Sequence, residues 1–316
     1  NLPPLYGSKP NDPSARRIGS YLMWVAITAA CITSSMFLSA LAPNLLALAL
    51  VKSITGITIS WGNWFLAFLP LGIILILAMP LLAYLFYPPE VKINDEVPRW
   101  ATRELEKLGK LSRNEILLLV FVCCALAMWI FAASWIEPAM AALLVITLML
   151  WTGVLNWSDI TGNKAAWNTF TWFATLVALA DGLSSTGFIG WLGKEGGALM
   201  GGISPGVALI VLVIAFYLLH YLFASTTAHT TALLPAMLTI AATIPGMNMQ
   251  VFCLMMVTSL GVMGIITPYG TGPSPIYYGS GYLPTVDYWR LGTIFGAIFL
   301  VALLVIGYPW MMMIFG

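Results

Sequence analysis

Two short stretches of the chain place hydroxyls beside helix-breaking residues inside otherwise apolar sequence. In TPYGTGPSP, Thr267 to Pro275, the residues Pro268, Gly270, Gly272, Pro273 and Pro275 forbid a regular helix. Thr267, Thr271 and Ser274 set hydroxyls next to the backbone groups so freed. The second stretch, ASTTAHTT, interrupts the middle of the apolar run from Val207 to Ile244 with Ser225, Thr226, Thr227 and His229. A third interruption, Ala42-Pro43-Asn44, falls in the run from Ile18 to Val51. A helix broken in this way exposes N–H groups and a partial positive charge at the start of its second half, near Pro273 and at Pro43 to Asn44, which suits a carboxylate or phosphate. The carbonyls freed from its first half suit a small cation such as sodium.

The elements that position these groups must be membrane-spanning helices. The chain has 316 residues, is 60% hydrophobic and 8% charged, and has a mean hydropathy of +0.93, whereas a soluble domain carries about a quarter charged residues. A net charge of +1 gives no reason to expect a nucleic-acid partner. Apolar runs of spanning length predict an all-α polytopic fold of about seven spans and a re-entrant hairpin. They are the broken helix 18–51, a span 65–86, spans 116–133, 138–154 and 170–189, the hairpin 207–244, a broken helix 250–283 and a last span 291–315. Residues 87–115 form a polar connection in which Val97, Ala101, Leu105 and Leu108 share one face of a surface helix. With that connection on the cytoplasmic side, eleven of the 13 lysines and arginines lie inside, provided that 207–244 enters and leaves on the outer side.

Inside hydrocarbon a broken helix survives only where protein or a water-filled cavity satisfies its backbone. Two such breaks and a hairpin form the kind of midplane site that alternating access uses, so the chain reads as a transporter. No HExxH, GxSxG or acid pair falls in the spans, and no enzyme is expected. Cys31, Cys123, Cys124 and Cys253 all lie in apolar runs, without CxxC or metal-ligand spacing, and read as buried packing residues; no metal is expected.

The stretch around Pro43 looks like a counterpart of the one around Pro273, which suggests two repeats. Residues 1–86 then end the first repeat, 116–316 form the second, and a matching first hairpin would lie upstream of Asn1. FASTTAHTTALLP (Phe223 to Pro235), GIITPYGTGPSPIYYGSGYLPTVDYWRLG (Gly264 to Gly292) and NLPPLYGSKPNDPSARRIGSYLMW (Asn1 to Trp24) resemble the divalent anion:sodium symporter family. The closest likeness is to its citrate/succinate and tartrate/succinate antiporter branch. The resemblance implies a homodimer in the bacterial inner membrane, with two inverted repeats per protomer. It also implies hairpin tips whose Ser-Asn-Thr motif contacts substrate carboxylate, a motif that maps here to Ser225, Thr226 and Thr227. Thr226 stands where the family has Asn and offers one hydroxyl instead of an amide. That departure fits exchange of di- and tricarboxylates better than the alternative, a sodium-coupled dicarboxylate symporter. No cofactor is expected, and sodium is disfavoured at this tip.

The expected substrate-binding set is therefore Ser225, Thr226, Thr227, Pro43, Asn44, Thr267, Thr271, Gly272, Pro273 and Ser274. His229 shares a helical face with Ser225 and is positioned to meet a carboxylate or sense pH. His220 reads as a hydrogen-bonded structural residue and Asp181 as a helix end near water. The tryptophans near span ends, Trp24 and Trp64 among them, read as an interface belt.

Overall fold

A computed structural model describes residues 2–92, 96–132, 135–199 and 202–316, without some of the side chains between positions 165 and 200. Every long element among the described residues is a helix. Among the described residues six helices are long and apolar enough to cross a membrane, Pro205–Leu222 being one of them. In chain order the helices used below are α1 (Gly19–Met36), α2 (Ala42–Thr55), α3 (Trp61–Phe86), α4 (Glu96–Leu108), α5 (Arg113–Phe131), α6 (Pro138–Trp151) and α7 (Lys164–Ser185). They continue as α8 (Phe188–Leu199), α9 (Pro205–Leu219), α10 (Thr226–Ala242), α11 (Met249–Val262), α12 (Ser274–Gly279), α13 (Thr285–Ala302) and α14 (Tyr308–Phe315).

The chain divides into two compact units, one of Asn1–Ile59, Trp64–Asn94 and Thr175–Gly316, the other of Ser60–Asn63 and Asp95–Ala174. In the smaller unit, α4 is the amphipathic helix the polar connection predicts, with Leu105 and Leu108 exposed. The start of α5 is held by a capping box, in which the Glu115 N–H donates to Ser112 Oγ at 3.3 Å and the Ser112 N–H to Glu115 Oε2 at 2.6 Å. α5 and α6 pack through Phe121, Ala125, Val145 and Met149. Cys123 and Cys124 are exposed on α5, contrary to the packing role their apolar surroundings suggest; only Cys31 and Cys253 are buried. A helix in lipid has apolar residues on its outer face too, so an apolar run does not say which residues face inward.

The larger unit is built around α11, whose residues from Val251 to Val262 are all buried. α1 crosses α11 tightly. A Cβ on Gly261 would sit 2.4 Å from the Ser35 nitrogen, so the backbones meet where only glycine fits. α8 has no counterpart among the predicted spans, because FIGWLGKEGGAL reads as loop from its glycines. Those glycines are its packing face: a Cβ on Gly193 or Gly196 would run into Thr239 or Ile240 of α10, and one on Gly197 into Thr243 just beyond its end. Small residues of this kind let membrane helices approach closely. At the C-terminus α13 passes into α14 through a π-helical turn, Leu303–Gly307, just before Pro309. A turn of this type takes up the backbone irregularity that a missing proline N–H creates.

Trp24 and Trp64 correct the belt reading. Both are fully buried. The Trp24 ring meets Tyr288 and Phe295 edge-on, each at 5.4 Å. Position near a span end in sequence does not tell an interface residue from one that faces a neighbouring helix.

Candidate functional site

Both predicted breaks are present, and each is a place where backbone groups change partners. At the first, α1 ends at Met36, a short 3-10 turn covers Leu38–Ala40, and α2 starts at Ala42 with Pro43 in its first turn. Proline is tolerated there because that N–H has no helical acceptor. Asn44 is buried and turns back, its Nδ2 donating to Ser34 O at 2.8 Å and more weakly to Phe37 O at 3.4 Å. The Trp64 Nε1–H donates to Ser35 O at 2.9 Å. Asn44 Oδ1 is left buried without a partner.

At the second break α11 continues as a 3-10 turn over Met263–Ile266, gives way to an irregular loop, and resumes as the six-residue α12. Tyr217 Oη shares its proton between Val262 O at 3.2 Å and Gly296 O at 3.1 Å. Tyr288 Oη donates to Thr267 O at 3.2 Å. The Ser274 N–H donates to Thr271 Oγ1 at 3.2 Å, and the two hydroxyls of Thr271 and Ser274 lie 2.6 Å apart. Thr267, Thr271 and Ser274 are buried, Pro273 is half-buried and Gly272 exposed. Thr267 Oγ1 has no partner.

The breaks meet each other through α1 and α11. Ser35 Oγ accepts from the Val262 N–H at 2.8 Å, beside the close approach at Gly261. The hairpin arrives from another direction. α9 and α10 are its arms, joined by a 3-10 turn at His220–Leu222 and an extended segment to Ser225. Ser225 is the N-cap of α10, with φ −158° and ψ 148°, and its Oγ accepts from the Ala228 N–H at 3.1 Å. That leaves the N–H groups of Thr226 and Thr227 as the first-turn donors intrahelical bonding does not use. The tip is tied to the second break by one direct bond: Thr226 Oγ1 donates to Gly270 O at 2.9 Å.

One hydrogen bond, Thr226 to Gly270, links the tip that carries Ser225, Thr226 and Thr227 to the loop that carries Thr267, Thr271, Gly272, Pro273 and Ser274. Pro43 and Asn44 belong to the other break, and among the described residues no hydrogen bond joins Asn44 to the tip. His229 follows Ser225 in the same helix, its N–H bonding to Ser225 O at 3.1 Å. Its ring, however, is fully buried against Phe216, His220 and Phe223. His220 is buried too, but neither of its nitrogens has the hydrogen bond expected of it. The side chain of Asp181 lies outside the described residues. Sequence reasoning passed over Ser35, Trp64, Tyr217 and Tyr288, which satisfy or occupy freed backbone groups. The only sign available for them was a polar atom within an apolar run.

The sodium:sulfate symporter transmembrane region, as a family profile, matches residues 1–316. The chain belongs to the sodium:sulfate symporter family. Its similar relatives within reach of this symporter family include the L-tartrate/succinate antiporter of Escherichia coli O6:K15:H31 (strain 536 / UPEC), 53% identical over 311 residues, or 98% of this chain and 64% of the relative. The protein of the same name from Escherichia coli strain UTI89 is 54% identical over 314 residues, 99% of this chain and 64% of the relative. That of Shigella sonnei strain Ss046 is 53% identical over 98% of this chain and 64% of the relative. This symporter-family chain therefore spans slightly less than two thirds of the length of the curated relatives it matches, and it is an integral membrane protein.

Proposed function

We propose that the protein containing this chain is a secondary antiporter of the bacterial inner membrane that exchanges one dicarboxylate for another. The leading pair is tartrate, or a citrate-class anion, against succinate. The observation that carries this reading is the Thr226–Gly270 bond, which joins the hairpin tip to the broken helix. Relatives named L-tartrate/succinate antiporters support the substrate class.

The carboxylates are held by Ser225, Thr226, Thr227, Thr271 and Ser274, with first-turn N–H groups of α10, and the corresponding N–H groups of α2 at Pro43 to Asn44 serve the other break. Dipoles suit this task. A lysine or arginine buried at the same depth carries a large desolvation cost and would hold the anion too firmly to release it. The same bond argues against sodium. At the tip Thr226 offers one hydroxyl, which donates to Gly270 O, and no amide oxygen. The repeat arrangement, with residues 1–86 ending one repeat and 116–316 forming the other, the lipid surroundings and the homodimer belong to the same reading.

The test loads vesicles containing the full-length protein with labelled succinate and adds tartrate, citrate, malate or no anion outside, each with and without sodium. Exchange predicts release that requires an outside anion and ignores sodium. Release that needs sodium, or that proceeds with nothing outside, turns the reading into a symporter or a uniporter.

A further inference from the structure

The hairpin contains two histidines for which carboxylate binding by hydroxyls and N–H groups has no use. His220 closes α9 and His229 lies in the first turns of α10, and both rings are fully buried. Their centroids are 5.0 Å apart with the planes nearly perpendicular, at 81°. His229 is enclosed by Phe216 at 4.3 Å and Phe223 at 5.1 Å. None of the four ring nitrogens has a hydrogen-bond partner. A buried polar atom left unpaired destabilises the fold, and a phenylalanine like those around it would fill the space without that cost. We propose that His220 and His229 form a buried binding site for one proton, taken up together with the anion.

The surroundings fix the stoichiometry and the coupling. The groups able to carry charge on the helices packed against the hairpin are Lys52 of α2, Lys194 and Glu195 of α8 and Cys253 of α11. The two imidazole rings face each other, and His220 Nε2 lies beside Gly270. Tyr217 on the same arm is committed to Val262 O and Gly296 O, and Tyr269 of the break reaches only the Tyr221 carbonyl, at 3.4 Å. A second proton this close to the first is repelled, so the pair holds one. The proton comes from water on the side to which the site is open, binds one imidazole nitrogen, and returns to water when the anion leaves.

Gly270 connects the two sites. Its carbonyl holds the Thr226 hydroxyl at the tip, and the position where a Cβ would stand is 2.5 Å from His220 Nε2 and 2.4 Å from Thr267 Oγ1, so both unpartnered atoms face it. An imidazolium here is a buried charge with nothing opposite until an anion occupies the tip. Anion and proton therefore strengthen each other's binding, and by linkage each does so by the same factor.

This inference rests on the exchange reading, and the experiment separates the two. Tartrate binding to purified full-length protein is measured by calorimetry from about pH 7.5 to about pH 5.5, the range in which histidine changes charge, in two buffers of different ionisation heat so that protons are counted. The expected result is affinity that rises as pH falls, by up to about tenfold per pH unit, with up to one proton taken up per protomer, and loss of both in the double variant His220→Gln, His229→Gln. Binding with no proton uptake, or uptake unchanged in the double variant, overturns the proton site and leaves exchange standing. If the double variant does not fold, the proton count of the unaltered protein decides alone. Failure of the unaltered protein to bind either tartrate or succinate at any pH overturns exchange, and the proton site with it.

Discussion

The two broken helices solve the same problem differently. Where α1 gives way to α2, the interruption is short, and one side chain of its own and one from a neighbouring span take up the freed carbonyls: Asn44 reaches Ser34 and Phe37, and Trp64 reaches Ser35. A helix of 14 residues follows. Where α11 gives way to α12, the irregular stretch is longer, carries its own hydroxyls, and is followed by only six helical residues. Its Gly270 carbonyl is satisfied by the hairpin tip and not by a fixed neighbouring span. The first break is held by side chains packed around it. The second depends on the tip between α9 and α10. Any rearrangement of the tip should therefore disturb the second break first.

The largest effect is expected where the breaks cross. Gly261→Leu places a branched side chain where even a Cβ meets the α1 backbone at 2.4 Å, and neither helix can move without unseating its break. Overpacking of this kind costs about 1 to 3 kcal/mol or more. The variant should lose monodisperse elution in detergent and all exchange together; near-normal melting would mean that α1 and α11 do not depend on this contact.

A smaller and more selective effect is expected at Thr226. Thr226→Val keeps the shape and leaves the Gly270 carbonyl buried without its donor, which costs about 1 to 3 kcal/mol, so exchange should fall at least tenfold while Thr226→Ser retains most of it. Thr226→Asn sharpens the comparison, because it adds an amide oxygen at the tip while disturbing the hydroxyl bond. Exchange by that variant should become stimulated by sodium. Equal loss of exchange in the Ser and Val variants would assign Thr226 to packing alone.

The breaks were legible because glycine and proline act locally: Pro43 and the run from Thr267 to Pro275 interrupt a helix wherever they stand. The interruption between Val207 and Ile244 was legible because a polar stretch divided an apolar run. What closes the breaks was not legible. Trp64, Tyr217 and Tyr288 each place one polar atom on a carbonyl far away in sequence, and in an apolar span such a residue looks the same whether it faces lipid, the interface or a neighbour. α8 was missed for the reverse reason, since its glycines promote loops in water but provide a packing face against Thr239 and Thr243 in a membrane helix. The histidines lay between these cases. Their types and spacing were visible, but that they face each other, and that none of their nitrogens is paired, depends on how the hairpin closes.

The smallest change in stability, and the finest contrast between the breaks, is expected at Thr267. Its hydroxyl is buried and has no partner, while its carbonyl is held by Tyr288. Thr267→Val removes the hydroxyl, keeps the backbone bond and nearly preserves volume. In a loop whose only task was to end one helix and begin another, removing an unsatisfied buried hydroxyl would be neutral or stabilising, because the desolvation of that group no longer counts against the folded state. Melting should therefore stay within about 1 kcal/mol of the unaltered protein. Exchange should nevertheless fall, because a hydroxyl kept unpaired at this depth is available to an anion or to a water ordered beside His220. Asn44→Leu at the first break should instead melt lower, since Asn44 Nδ2 serves two carbonyls and its loss leaves them without a donor. If Thr267→Val melts lower and transports normally, the hydroxyl belongs to the structure of the loop, and the second break is as fixed as the first.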